Sequence, residues 1–249
     1  MANMIYTVAV NHDTSQYKNS DYSQYCIKSW ESWCKKNDID FMVITEHDAR
    51  YKYPVWNKDL IFEKLDTEYD KIGYVDSDTM VHWGAPNPFD IYDDEFCWVK
   101  DCSNFRWISN SIELYNKFYL NQTLDIYDYY NSGVSFFTKE HKFIYDNLQK
   151  LYKENSVELD DCATRGVGKV QTLLNFELQK QNVKIKELPP IWNIFSMHKK
   201  EMFNHNWQDG KDTTPFFIKY CWIWHFTGFP IEERTKIMKQ TWELVGDRY

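Results

Sequence analysis

Three observations predict an α/β fold with a mostly parallel, mixed sheet flanked by helices. β-rich runs alternate with runs of helical period through the first half of the chain. At 249 residues the chain suits one such domain and can bury a substantial core. No apolar run reaches the ~20 residues that a membrane span needs. The most apolar stretch, "FFIKYCWIWHF" (Phe216–Phe226), is broken by Lys219.

The elements follow in order. "MIYTVAV" (Met4–Val10) is the first strand and ends at the polar "NHDTSQY". A helix is expected from Ser20–Asp21 onward, where Tyr22, Cys26, Trp30 and Trp33 fall on one stripe. "DFMVIT" (Asp40–Thr45) is the next strand. A short helix over Asn57–Leu65 turns Leu60, Ile61 and Leu65 inward, and "KIGYV" follows as the third strand. In the second half, Phe96–Lys100 and Ser132–Thr138 have strand composition, and His141–Glu154, Val170–Gln181 and Ile231–Val245 have helical period. "ELPPIWN" breaks the pattern between them. Neither a repeat nor a linker is visible, so one domain over residues 1–249 is the economical expectation.

Composition narrows the function. With 29 Lys and Arg against 37 Asp and Glu, the net charge of −8 disfavours duplex DNA, whose binding needs many cations to replace counterions. A small basic pocket for a phosphorylated ligand remains compatible with it. The N-terminus has no basic region or cleavage site of a signal peptide, so a cytoplasmic location is expected. Six cysteines without a CxxC pair speak against zinc and for buried reduced thiols.

The stretch "KIGYVDSDTMV" carries the chemistry. It ends an apolar strand on Asp76 and Asp78, with no lysine or arginine in the next ten positions. In mostly parallel sheets, ligands bind beyond the carboxyl ends of the strands, and both aspartates lie there. Two carboxylates converging on a crevice need a cation, and hard oxygen ligands suit Mg²⁺ or Mn²⁺. A solvated Asp-Ser-Asp turn capping the next segment is the plain alternative.

"YVDSDTMV" resembles the DxD motif of nucleotide-sugar glycosyltransferases of the GT-A, Rossmann-like fold, most closely glycosyltransferase family 8, the glycogenin and galactosyltransferase group. Further blocks resemble that family in its order: "VWNKDLIFEKLDTEYDKIGYVDSD", with Lys58 ahead of the DxD, then "YNSGVSFF", "VQTLLN" and "WHFTGFP". The resemblance implies a metal-dependent glycosyltransferase that moves a sugar from a nucleotide diphosphate sugar, a UDP-sugar first, to a hydroxyl of a glycan, protein or small molecule, with retention. It further implies Mn²⁺, or else Mg²⁺, held by Asp76, Asp78 and His225, with Asp76 shared with the nucleotide ribose.

The donor-binding set that the resemblance implies is the backbone of Ala9 and Val10 at a uracil edge, Asn11 facing the crevice, Tyr17 on the base, Lys58 at phosphate or at the aspartates, and Ser77 and Gly228. Asp101, Asn131, Ser132 and Gly133 would line the sugar pocket, with Gln171 beneath the anomeric carbon and, together with Asp101, positioning the sugar for reaction. Residues 1–105 would form the nucleotide-sugar half and 106–249 the acceptor half. The chain departs from the family at Val170, where Asp is common. It also lacks the lysine-proline-tryptophan after HxxG, leaving Arg234 or Lys236 as substitute phosphate contacts. A catalytically inactive protein binding a nucleotide sugar or glycan is the alternative that Val170 keeps open. A haloacid-dehalogenase phosphatase fits less well, because Met80 stands where that motif wants Thr or Val and the motif follows the third strand.

Overall fold

The computed structural model describes residues 2–12, 21–65, 68–120, 122–195 and 214–249. A six-stranded sheet runs in the order β2-β1-β3-β6-β5-β7. Its strands are β1 (Asn3–Val8), β2 (Asp40–Ile44), β3 (Lys71–Asp76), β5 (Phe96–Lys100), β6 (Tyr130–Thr138) and β7 (Ile185–Glu187). Three of the five ladders are parallel, and β6 is antiparallel to both of its neighbours. A separate ribbon pairs β4 (Thr79–Val81) with β8 (Ile223–His225), antiparallel.

Alternation along the strands feeds two cores, one on each face. Tyr6, Ile72, Tyr74 and Phe137 point into a layer with α3 (Phe105–Tyr115), α4 (Lys142–Ala163) and α5 (Val170–Lys180). Ile5, Val75, Val134 and Phe136 point into the other, with α1 (Ser23–Lys36), the ribbon and α7 (Ile231–Val245). The stripe Tyr22, Cys26, Trp30 and Trp33 is buried there, and Trp30 donates its indole N–H to Thr79 Oγ1 at 3.0 Å.

Several expected elements shift. β1 ends at Val8, not Val10, and the expected helix over Asn57–Leu65 is a 3-10 helix (Pro54–Leu60) followed by the short α2 (Ile61–Lys64). Pro54 presets the tight first turn, and Leu60 and Ile61 are buried while Leu65 is only half-buried. α4 bends at Asn155, one residue past its expected end, and then continues to Ala163. α6 (Phe216–Tyr220) is a short helix within the most apolar stretch. No disulfide forms among the cysteines; five thiols are buried, whereas Cys102 is exposed. Among the described residues, no helix is long and apolar enough to cross a membrane.

Candidate active site

β3 ends on Asp76, and the chain turns through Ser77 and Asp78 into β4. The ribbon sets His225 opposite Thr79, and the Phe226 amide donates to the Asp78 carbonyl at 2.9 Å. His225 is thereby held against both aspartates. Asp76, Asp78 and His225 each aim one atom into a cluster whose members all lie within 4.8 Å of one another.

The outer oxygen of each carboxylate is engaged elsewhere. Asp76 Oδ1 accepts a hydrogen bond from the Tyr74 hydroxyl, two residues earlier on the same strand face. Burial first, and then the Asp76 charge, push the Tyr74 hydroxyl well above the usual tyrosine range, so it stays a donor. Asp78 Oδ2 lies 3.0 Å from the buried guanidinium of Arg234 on α7. Burial raises the Asp78 carboxyl, but His225 and Arg234 outweigh it and hold the group below the usual carboxylate range. The inner oxygens, Asp78 Oδ1 and Asp76 Oδ2, face His225 Nε2 at 3.2 and 3.7 Å.

A backbone amide decides which imidazole nitrogen carries the hydrogen. The Gly133 N–H can only donate, and it meets Asn131 Oδ1 at 3.0 Å, so that atom is the amide oxygen. Asn193 must then turn its NH₂ toward Asn131, at 2.9 Å, and its oxygen toward His225 Nδ1, at 3.0 Å. An acceptor at Nδ1 requires Nδ1–H, which leaves a lone pair on Nε2 of the neutral ring. Three lone-pair atoms therefore converge, and such a cluster calls for a cation between them, either a proton on Nε2 or a metal ion. Mixed oxygen and nitrogen donors fit Mn²⁺ or Mg²⁺ chemically, with Mn²⁺ the better match.

The same asparagine connects to a second group of residues. Asn131 Nδ2 donates to Asp101 Oδ2 at 3.3 Å, and Gln171 Nε2 donates to the same oxygen at 3.1 Å. The Ser103 amide and hydroxyl occupy Asp101 Oδ1 at 3.1 and 2.6 Å. Gln171 Oε1 accepts from the Ser132 amide at 3.0 Å, and Lys58 Nζ donates to Ser132 Oγ at 3.0 Å. All of these surround a cleft of about 750 Å³ next to the aspartates.

The other expected residues separate into four groups. Ala9, Val10, Asn11, Ser77 and Gly228 line the cleft, and Gly228 has φ +85°, the left-handed backbone that glycine tolerates best. The Ala9 amide is already committed to the Ile44 carbonyl at 2.9 Å, so only the Ala9 carbonyl can face a ligand. Gly133 lies behind the cluster and does not border the cleft. A methyl group there would sit 2.2 Å from His225 Cε1 and 3.0 Å from Asp76 Oδ2. Lys58 makes no ion pair with the aspartates; its ammonium goes to Ser132 and over the Tyr74 ring. Tyr17 lies outside the described residues.

Sequence reasoning passed over Asn193, Tyr74 and the pairing of Arg234 with Asp78. Tyr74 carried a signal, since it shares a strand face with Asp76. Asn193 carried none. It lies in the irregular "ELPPIWN", brought to His225 because Ile194 joins β8 as a single bridged residue.

No family model matches the chain, and no curated protein sequence does. Solved structures do match. A glycosyltransferase involved in the glycosylation of the major capsid of PBCV-1 superposes with a TM-score of 0.59 at 12% identity, covering 95% of this chain and 99% of that one. The bifunctional glycosyltransferase WbbM superposes with a TM-score of 0.54 at 13% identity, covering 98% of this chain and 50% of that one. Identities this low carry the fold alone. The chain has the Rossmann-like fold of GT-A glycosyltransferases, as its sequence led us to expect.

Proposed function

We propose that this protein is a metal-dependent glycosyltransferase that moves a sugar from a nucleotide diphosphate sugar, a UDP-sugar first, to an acceptor hydroxyl with retention. The observation that carries the reading is the inward-facing set of Asp76 Oδ2, Asp78 Oδ1 and the His225 Nε2 lone pair at the carboxyl end of β3. Those three atoms would hold Mn²⁺, or Mg²⁺. A bound divalent ion supplies Lewis-acid stabilisation of the charge that builds on the leaving diphosphate.

The remaining roles belong to the chain. Residues 1–105 take the nucleotide and 106–249 the acceptor. The Ala9 carbonyl and the Val10 backbone offer an acceptor and a donor to a uracil edge, with Asn11 and Ser77 along the ribose and diphosphate. Lys58, tethered to Ser132, adds positive charge to the cleft wall where phosphate would lie.

Asp101 accepts four hydrogen bonds, two on each oxygen, which spreads its charge and makes it a poor nucleophile. Its part, with Gln171 and Asn131, is to orient sugar hydroxyls and stabilise positive charge at the anomeric carbon. Position 170 offers only the buried Val170. With no carboxylate nucleophile at that position, retention follows from attack on the face that the diphosphate leaves, the diphosphate oxygen taking the acceptor's proton.

Donor hydrolysis tests the reading without any knowledge of the acceptor. Purified protein is incubated with a panel of UDP-, GDP- and TDP-sugars, with Mn²⁺ or with EDTA. Metal-dependent release of sugar from one donor is expected. Silence across the panel, while a donor still raises the melting temperature, would replace this reading with a nucleotide-sugar-binding protein.

A further inference from the structure

Lys169 sits on the cleft wall two residues before Gln171, at the start of α5, and is half-buried. Its ammonium stacks over the Tyr53 ring, 5.3 Å from the centroid. Among the described residues it makes no ion pair and donates no hydrogen bond, unlike Lys58, which also lines the cleft. Burial pulls the ammonium below the usual lysine range, and no carboxylate, Asp76, Asp78 and Asp101 included, offsets it. A desolvated cation facing a cleft without a counter-charge is stabilised once an anion arrives.

The neighbouring wall suits a sugar ring. Trp107 lines the cleft with its indole N–H already donated to the Gly166 carbonyl at 2.9 Å, so it offers carbon surface. Tyr53 is the second aromatic wall. Tyr53 lies under the Lys169 ammonium and Trp107 packs at Gly168 next to it. Lys169 and Trp107 both belong to residues 106–249, the half assigned above to the acceptor.

We propose that Lys169, with Tyr53 and Trp107, forms an acceptor subsite selecting a sugar that carries a carboxylate or phosphate. This rests on the glycosyltransferase reading above, with the acceptor's anion at Lys169 and its ring against the aromatic walls.

The test is calorimetric, on the full chain saturated with UDP and Mn²⁺. Matched probes are p-nitrophenyl β-glucuronide against the glucoside, and glucose 6-phosphate against glucose. At least one charged probe should bind tenfold or more tightly than its neutral partner, and that pair separates carboxylate from phosphate as the source. The preference should weaken with salt, disappear in Lys169→Met and survive in Lys169→Arg. Equal binding within both pairs, undetectable binding included, overturns the proposal, as does a preference unchanged in Lys169→Met. A further arm compares hydrolysis of UDP-glucuronate and UDP-glucose. A Lys169-dependent preference there moves the anion to the donor and also overturns it. Failure of the glycosyltransferase reading is seen separately, as absence of metal-dependent hydrolysis of any donor by the unsubstituted protein.

Discussion

Replacing Asn193 by alanine isolates the hydrogen-bond relay that sets the His225 tautomer. In the native chain the Asn193 oxygen takes the Nδ1–H at 3.0 Å, and its amide hydrogens reach Asn131 at 2.9 Å. Alanine leaves a buried N–H without its acceptor, which costs about 1–3 kcal/mol of stability. It also frees the ring to place its hydrogen on Nε2, where it points at Asp78 Oδ1, 3.2 Å away, and competes with any metal ion. Loss of such a supporting contact costs about 10–100-fold in metal affinity.

Asn193→Asp provides the internal control. Its carboxylate still accepts from Nδ1, although it faces the Asn131 oxygen with no hydrogen to offer. Mn²⁺ affinity, read from the electron paramagnetic resonance of free ion in a titration with UDP present, should fall at least tenfold in Asn193→Ala and far less in Asn193→Asp. Near-ultraviolet circular dichroism establishes that both variants are folded. Wild-type affinity in the folded alanine variant would refute the tautomer argument, because nothing else on the Nδ1 side would then matter to the site.

Gly133→Ala drives a methyl carbon to 2.2 Å from His225 Cε1 and 2.8 Å from Nδ1, so the ring must move. Overpacking of this kind costs about 1–3 kcal/mol, read by urea unfolding, and weakened Mn²⁺ binding should accompany it. Asp78→Ala should remove donor hydrolysis and also destabilise the fold by about 3–5 kcal/mol, since it takes from the buried Arg234 the carboxylate 3.0 Å away. Asp78→Asn should lose hydrolysis with a smaller fall in melting temperature, and equal melting temperatures for the two variants would discount the ion pair. Asp59 is fully buried, and neither carboxylate oxygen has a hydrogen-bond partner. Burial, only partly offset by Lys58, pushes its carboxyl up to about 7 from 3.8. A raised folded-state value means that the folded protein holds a proton which the unfolded chain releases. Stability is therefore fully present below pH ~4 and declines through pH ~7, by up to about 4 kcal/mol at 1.36 kcal/mol per pKa unit. Asp59→Asn should flatten that slope, so that in urea unfolding its stability relative to the wild type is higher at pH 8 than at pH 5; an unchanged slope would count against a neutral Asp59.

What could be read ahead of the structure depended on how locally each feature is encoded. β5 and α7 match their expected ranges end to end: β5 is a short continuous apolar run buried on both faces, and the helical period of α7 coincides with the face it buries. The DxD and His225 were readable because each sits in a short, distinctive run. The basic partner of Asp78 was not visible within ten residues of the DxD, since Arg234 arrives from the last long helix. Its guanidinium is turned to Asp78, so the phosphate contact suggested for it has to compete with that ion pair. Ala9 shows the opposite limit. Position in the first loop marked it as a nucleotide contact, but only the β1–β2 register reveals that its amide is already used.

Asn131 and Asn193 explain why the site can be stiff although its residues come from β3, β6, β8, α5 and three loops. Asn131 Oδ1 takes hydrogens from Gly133 and Asn193, and its NH₂ goes to Asp101, so one amide touches both the histidine relay and a carboxylate that lines the cleft. An Asp at 131 would oppose Asp101 across 3.3 Å, and an apolar residue would release Asn193, Gly133 and Asp101 together. Of the alternatives, only an amide supplies an acceptor on one side and a donor on the other in fixed planar geometry. A change at Asn131 should therefore disturb Mn²⁺ affinity and donor affinity together, whereas a change at Ser103 touches only the far oxygen of Asp101 and should leave the metal untouched. Equal effects of Asn131→Leu and Ser103→Ala on Mn²⁺ binding would mean that the two halves of the site are not joined through this amide.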